Sequence, residues 1–399
     1  MATPTFSIAV EITPSVAGEP RTVTSDVIDW TTTGANRSSP VEMLGLATAT
    51  ITLDNTLGAY DPAVHRTVEP GATVTLTVAG TGDIVFQGVI TRARLVVGRG
   101  RDSWCVVDAA QRAIRDTAAV DGSYGATTVG GLITFTGGGS VELDTVWDDH
   151  DPAVAATTID TGTSFWAIVT DLAESLGGVV YYNPDAPGWT YVSRARRSTD
   201  AYATYAAEPI DFGDGAVSSE PLDLDAPIEV ELSDDHLFNV VTAEASYGAS
   251  GTTVTVTESN VATFGTRALT RQGPFNTATL SEIATEMVVR YGSLGSLPGY
   301  AHPREVSVQH AEYLPLAALT PLLRADYPRY ALVSLTFRPG FPTAQATRTA
   351  FYLVDGRTLS GDADGSISMT LTLAPAARDG DAVYDDQAAF GGYDFARYA

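Results

Sequence analysis

Two clusters of acidic side chains are the places where the residue types could bind a cation. Residues 148–151 read Asp-Asp-His-Asp before Pro152, and carboxylate oxygens and imidazole nitrogens are common metal ligands. Residues 362–365 read Asp-Ala-Asp-Gly, which is similar to the start of a calcium-binding loop but lacks the glutamate at the twelfth loop position. A solvated turn is the favoured interpretation of the first cluster, and a hairpin turn of the second one.

Catalytic residue patterns are otherwise missing from the sequence. All 23 basic residues are arginine, which excludes a Schiff-base lysine and a P-loop lysine. The 48 acidic residues make chance carboxylate pairs inevitable, so such pairs do not indicate a glycosidase. Cys105 lies in a strand-like segment and is predicted to be a buried, unreactive thiol. The sequence therefore predicts no catalytic, cofactor-binding or metal-binding residue, no cofactor and no enzymatic activity.

The stretch from Leu46 to Pro62 predicts a strand that runs into a structured corner. Apolar side chains alternate with threonines up to Leu53, so one face of the strand is apolar. The turn residues that follow can hydrogen-bond their own backbone or adopt positive φ. They are Asp54, Asn55, Gly58, Tyr60, Asp61 and Pro62. We predict a rigid structural turn near a subunit contact, and not an active site.

Aromatic residues also recur near the end of the sequence, among small and acidic residues. They are Tyr384, Phe390, Tyr393, Phe395 and Tyr398. Disorder is the simplest interpretation of such a segment. Its aromatic content predicts docking onto a neighbouring subunit or another protein.

Charge and hydropathy limit the class of protein. The net charge is −25, and such a surface repels nucleic acid. The first residues lack the basic and apolar regions of a signal peptide. No segment contains a run of about 20 apolar residues, the length that a membrane span needs. These features predict a protein that folds in the cytoplasm.

The order of predicted elements is β, then α+β, then β again. Short alternating strands fill the chain up to Val97, and a short helix is predicted over Ala109 to Asp116. Ser164 caps an amphipathic helix that ends at Gly177, and another helix begins at Thr279. Residues 122–139 are rich in glycine, and Gly137 to Gly139 predict a loop or hairpin tip. The segments around Gly88 and Gly356 are either a weak internal repeat or a chance similarity of glycine-containing strands.

Several segments, taken in order, resemble the tail hub family of long-tailed bacteriophages, which includes tail-tip and baseplate hubs and minor tail proteins. They are TATITLDNTLGAYDP, PGATVTLTV with VFQGVI, SFWAIVTDLAESLGGVVYYNPDAPGWTYVSR, DDHLFNVVTA, FGTR and YLVDGRTLSGDADGSISMTLTLAPA. The resemblance implies a mainly β fold with an α+β insertion, two small β-barrel or sandwich domains and smaller helix-containing domains. The resemblance also favours an internal repeat over chance similarity for the segments around Gly88 and Gly356.

The resemblance implies the following domain limits. Residues 1–118 form the first hub barrel, 119–208 an α+β insertion, 209–375 the second barrel with a helix-containing insertion around 245–300, and 376–399 a C-terminal tail.

The function that the resemblance implies is mechanical. Family hubs form homotrimers whose six barrels make a pseudo-sixfold ring between a sixfold tail tube and threefold distal parts, around the DNA channel. The implied partners are the distal tail protein, the tail tube protein, the tape measure protein and tail fibre or other tip proteins, with DNA only in transit and no membrane anchoring. The implied location is the tail tip of a virion assembled in the host cytoplasm. A carbohydrate-binding β-rich module for cell-surface recognition is the alternative.

Overall fold

The computed structural model describes most of the chain. The described residues are 4–15, 20–34, 46–61, 63–98, 102–111, 118–137, 143–146, 151–176, 178–184, 188–192, 211–213, 222–223, 230–231, 238–245, 252–257, 261, 265–291, 302–303, 305–337 and 348–375.

Strands dominate the described residues, as the threonine- and valine-rich sequence predicts. In the first part of the chain they are β1 (Ile8–Thr13), β2 (Arg21–Thr22), β3 (Val27–Gly34), β4 (Thr48–Asp54), β5 (Thr73–Val78), β6 (Ile84–Val97) and β7 (Ser103–Ala110). Shorter strands follow: β8 (Gly122–Tyr124), β9 (Thr127–Thr128), β10 (Leu143–Val146), β11 (Ala153–Val154), β12 (Thr157–Ile159), β13 (Val179–Asn183) and β14 (Gly188–Val192).

The remaining strands lie in the second half of the chain. They are β15 (Asp211–Gly213), β16 (Leu222–Asp223), β17 (Val230–Glu231), β18 (Val240–Ala245), β19 (Thr253–Thr257), β20 (Ala268–Gly273), β21 (His302–Pro303), β22 (Glu305–Val308), β23 (Leu332–Phe337), β24 (Arg348–Asp362) and β25 (Ile367–Pro375). The helices are α1 (Val129–Gly137), α2 (Phe165–Leu176), α3 (Thr277–Tyr291), α4 (Leu316–Leu323) and α5 (Tyr327–Tyr330). None of the helices in the described part of the chain has the length and apolar character needed to span a membrane.

A large, mostly antiparallel sheet of 13 described strands is the main feature of the fold, and it curls into a half-barrel. Its continuous path runs β16-β15-β23-β24-β3-β4-β7-β6-β5-β1-β2, and β22 and β25 join it beside β24. Strand β4 shows the predicted alternation, since Ala49, Ile51 and Leu53 are buried while Thr48 and Thr50 are exposed. One hydrophobic core, with members from Phe6 to Leu373, lies against this sheet.

Strand β24 joins the early and late strands of the chain. Its first half pairs with β23, and its second half pairs with β3. Strand β25 pairs with β24 along the opposite edge, with a register shift between Val354 and Gly356. Strands from both ends of the described chain therefore belong to one hydrogen-bonded sheet.

A second hydrophobic core is formed by residues inserted between the early and late strands of the sheet. Helix α2 presents Phe165, Ile168 and Leu172 to this core, as its spacing predicts. Helix α3 contributes Ile283 and Ala284 to the same core. The small sheets of this part are β10-β14-β13, β8 with β12, β9 with β11, and β19-β18-β20.

The structure corrects three expectations about local elements. The helix predicted over residues 109–116 is wrong at its start, because Asp108 to Ala110 continue strand β7, which pairs with β4 and β6 on its two edges. The rest of that prediction lies outside the described residues. The loop or hairpin tip predicted at Gly137 to Gly139 is wrong at its first residue, because Gly137 ends helix α1, whose Leu132 and Ile133 are buried; residues 138 and 139 lie outside the described residues. Helix α3 begins before the predicted Thr279, because the Asn276 side chain accepts a hydrogen bond from the Thr279 N–H at 2.9 Å.

Candidate functional site

The corner that follows strand β4 is held by the buried side chain of Asn55. Its Oδ1 accepts a hydrogen bond from the backbone N–H of Tyr60 at 2.6 Å, which closes a loop of six residues. Its backbone N–H donates to the Ser103 carbonyl at 2.9 Å, and its own carbonyl accepts from the Gly58 N–H at 2.7 Å. The asparagine thus fixes both the shape of the corner and its attachment to the start of β7.

Tyr60 anchors the far side of the corner in the hydrophobic core. Its ring is fully buried, and its hydroxyl donates a hydrogen bond to the Asp26 carboxylate just before β3. Arg21 lies over the same ring, with Cζ 5.3 Å from the centroid. Burial, followed by the hydrogen bond to Asp26, raises the pKa of Tyr60, so its hydroxyl remains a donor at neutral pH.

The other predicted turn residues complete the same corner. The Asp54 carboxylate accepts hydrogen bonds from the N–H of Thr56 at 2.8 Å and from its hydroxyl at 2.6 Å. Gly58 has φ +73°, a backbone conformation that glycine adopts at little cost. The Asp61 carbonyl accepts from the N–H groups of Val64 and His65. Pro62 lies outside the described residues.

The chemistry of the corner is that of a structural turn. Hydrogen bonds from Thr56 lower the pKa of Asp54, and burial raises the pKa of Tyr60. Both shifts move the pKa of the group further from neutral pH. A general acid or base, in contrast, works best with a pKa near the working pH. The arrangement suits rigidity better than proton transfer.

The other residues considered for chemistry also take part in the structure of turns or lie buried. The Asp362 carboxylate accepts from the N–H groups of Asp364 and Ser366, and this turn joins β24 to β25 as a hairpin. Burial raises the pKa of the Cys105 thiol to about 11. Within the described ranges, no group of three His, Cys, Asp or Glu side chains could hold a metal ion. Residues 148–150 and the five C-terminal aromatics, Tyr384 to Tyr398, lie outside those ranges.

A second candidate site, not found from the sequence, surrounds Arg357 in β24. Its side chain is fully buried, and burial lowers its pKa to about 10. Nη1 donates to three carbonyls at the end of α4, those of Leu322, Leu323 and Arg324, at 2.5, 2.6 and 3.0 Å. Nη2 donates to the Val85 carbonyl in β6 at 2.8 Å. One guanidinium therefore connects an early strand, a late helix and β24.

The location of Arg357 explains why a single cation is tolerated in the interior. The carboxyl end of a helix carries a partial negative charge and free carbonyl groups, and a cation there is favourable. The guanidinium also lies over the Tyr327 ring, with Cζ 4.6 Å from the centroid. In the sequence, Arg357 stands between Gly356 and a threonine, and nothing in that pattern indicates burial.

Glu312 makes a further connection between the two ends of the described chain. Its buried carboxylate accepts a hydrogen bond from the Ile367 N–H at 2.7 Å. Its backbone carbonyl accepts from the Thr5 N–H at 2.6 Å and from the Thr5 hydroxyl at 2.9 Å. The segment before β1 is thus fixed to the start of β25.

Two tail proteins are among the solved structures that share the fold of this chain. The tail protein from Neisseria meningitidis MC58 matches with a TM-score of 0.59 and 15% identity, over 92% of this chain and 96% of that one. The 43 kDa tail protein of prophage MuSo2 from Shewanella oneidensis matches with a TM-score of 0.56 and 11% identity, over 93% and 97%. No family model matches the sequence, and no curated protein matches it either.

The resemblance to phage tail proteins that the residues indicated is confirmed at the level of the fold. This chain and the two tail proteins share one architecture over nearly their whole lengths.

Proposed function

We propose that this protein is a structural hub of a bacteriophage tail tip. The observation that carries the proposal is the shared fold, which covers at least 92% of this chain and 96% of each of two tail proteins. Fold alone does not fix function. The proposal therefore also rests on the two candidate sites, whose buried hydrogen bonds suit a rigid mechanical part.

The proposed assembly is a homotrimer with two barrel-like units in each chain. In this proposal the strands up to β7 form one unit and the strands from β22 onward form the other, and the two sets join in one sheet through β24. Three chains then supply six similar units, a number that matches a sixfold tail tube above and threefold parts below. Closed rotational symmetry is also the usual organisation of protein homo-oligomers.

The ring is proposed to surround or gate the DNA channel and to contact other tail proteins. The partners in this proposal are the distal tail protein, the tail tube protein, the tape measure protein and tail fibre or other tip proteins. The net charge of −25 supports a channel with an acidic lining, since such a lining repels DNA phosphates. A tail structure with a neutral or arginine-lined channel would contradict this part of the proposal.

Two measurements test the proposed hub. Native mass spectrometry of the purified protein is expected to give three times the 41.9 kDa of one chain. Gold-labelled antibodies against the protein are expected to mark one end of purified tails in electron micrographs. A stable monomer that is absent from purified virions would overturn the proposal.

A further inference from the structure

Five large apolar side chains are exposed at one end of the large sheet. At this end, which we call the corner end, β3 and β7 begin and β4, β6 and β24 finish. Three of these side chains are strongly exposed: Leu57 is 96% accessible, and Val64 and Val97 are each 70% accessible. Ile28 and Leu95 are exposed to a lesser degree. An apolar side chain as exposed as Leu57 has no role in the core of its own chain.

Hydrogen bonds and strand register place these side chains together. Val97 pairs with Ser103 in the ladder between β6 and β7. The Ser103 hydroxyl donates to the Asn55 carbonyl at 2.8 Å, two residues before Leu57. Ile28 lies in the register shift at the start of β3, next to the pair of Val27 with Leu53. Leu95 pairs with Cys105 in the same ladder, and the Val64 N–H donates to the Asp61 carbonyl. The five exposed side chains therefore lie at one end of the sheet.

The corner end is rigid where it is most exposed. Leu57 lies inside the loop that the Asn55 side chain closes onto the Tyr60 N–H, and Gly58 donates back to the Asn55 carbonyl. A preorganised apolar side chain loses little conformational entropy on binding, which is a property of the residues that dominate protein interfaces. Leu57 is therefore suited to act as an anchor.

Several carboxylates lie at the same end of the sheet as these apolar side chains. Six of them are those of Asp26, Asp54, Asp61, Asp102, Asp362 and Asp364. None of these six makes an ion pair with any residue in the described part of the chain. Arg21 and Arg66 are the cations described beside the corner. Among the described residues of this end, six carboxylates therefore stand against two arginines around an apolar centre.

We propose that the corner end docks a different protein of the tail, one whose surface offers an apolar pocket for Leu57 bordered by arginine or lysine. The proposal rests on the proposed hub function and names the chemistry of one partner. Charge complementarity favours such a partner over a second copy, because each copy carries 48 acidic against 23 basic residues. Apolar contact would supply the affinity, and the carboxylates would supply orientation and selectivity.

Site-specific photocrosslinking in assembled tails tests the proposal. Tails are produced with the full chain carrying Leu57→p-benzoylphenylalanine, irradiated, and the crosslinked peptides are mapped by mass spectrometry. The expected product joins position 57 to a second tail protein, at an apolar site with arginine or lysine around it. The same probe at Val120, which is 44% accessible in the inserted part of the chain, is the matched control.

Two further variants measure the apolar and the charged contributions. Leu57→Asn is expected to lower the amount of this partner retained on purified tails about tenfold, as loss of an interface anchor does. Asp102→Asn with Asp364→Asn, whose side chains make no hydrogen bond or ion pair with other described residues, is expected to lower the crosslink yield about threefold. Both variants keep the hydrogen bonds of the corner, so folding is expected to be unchanged.

The outcomes separate this inference from the proposed function. A crosslink from position 57 to a second copy of this chain, to a partner site without basic residues, or to no protein at all would overturn the inference while the hub function stands. Equal capture of the same partner from position 120 would overturn it too. Absence of the protein from purified tails would contradict the hub function, and with it the inference.

Discussion

The guanidinium of Arg357 lies over the ring of Tyr327, with Cζ 4.6 Å from the ring centroid. This pair stands where the early and late strands of the large sheet meet. A side chain at position 34 would also collide with Tyr327, because a Cβ built on Gly34 comes within 2.8 Å of the tyrosine hydroxyl. Helix α5, β24 and the end of β3 are therefore packed closely around one buried cation.

Replacement of Arg357 by methionine is expected to destabilise the protein by about 3 kcal/mol. The variant keeps much of the side-chain volume but removes the guanidinium hydrogen bonds to the carbonyls of residues 85 and 322–324, of which that of Arg324 keeps a backbone donor, the Tyr327 N–H. Chemical denaturation measures the free energy of unfolding. Arg94→Met is the control, since Arg94 is exposed and its ion pair with Asp108 is 3.5 Å long. This substitution should lower the free energy of unfolding by less than about 0.5 kcal/mol. Equal effects of the two substitutions would contradict the role assigned to Arg357.

Tyr60→Phe is expected to destabilise the protein by about 1 kcal/mol at neutral pH, because the Asp26 carboxylate loses its buried donor. The pKa of Tyr60 is raised in the folded state, so this contribution is fully present below the unfolded pKa of about 10. It is lost as the pH rises above that value. Denaturation of both proteins between pH 7 and pH 11 should show a difference that shrinks at the alkaline end. A constant difference would mean that the hydroxyl proton is not what stabilises the corner.

Gly58→Ala is expected to cost about 1 kcal/mol, through backbone conformation alone. Gly58 has φ +73°, while a Cβ at this position meets no atom within 4 Å. Gly125→Ala is the matched control, because that glycine also has open space around it but no positive φ. Thermal unfolding should separate the two variants. A Gly58→Ala protein as stable as the control would show that the corner tolerates another backbone shape.

Removal of residues 383–399 is expected to leave the purified protein folded and to reduce assembly of complete tails. This deletion takes away all five C-terminal aromatic residues that we propose to dock onto a neighbouring protein. Circular dichroism checks the fold, and counting of infectious particles checks assembly. Full recovery of infectious tails with the shortened chain would refute this docking proposal.

The sequence predicts best where one local pattern agrees with the tertiary packing. The alternation in β4 and the apolar face of α2 were both predicted, because a periodic apolar face has only one way to be buried. Helix α1 was missed, since VGGLITFTG combines glycine and β-branched residues that disfavour helices. Burial of Leu132 and Ile133 in the second core overrides that local preference.

In the candidate sites, too, the sequence predicts local features but not contacts between distant residues. Asn55, Gly58 and Tyr60 were singled out as turn residues, since asparagine and glycine have known turn chemistry. The attachment of the corner to Ser103 and Asp26 could not be predicted, because these contacts join residues distant in sequence. Arg357 was missed for a related reason. A lone arginine in a strand is normally exposed, and the carbonyl partners of Arg357 come from two other parts of the fold, the end of α4 and strand β6.

Electron cryomicroscopy of purified tails, reconstructed without imposed symmetry at the tip, is the decisive test of the proposed hub. A ring of three copies of this chain is expected at the tail tip, with six similar barrel-like units around the channel. A tail tip without this protein, or one that contains it as a single copy outside the channel axis, would contradict the proposed hub function.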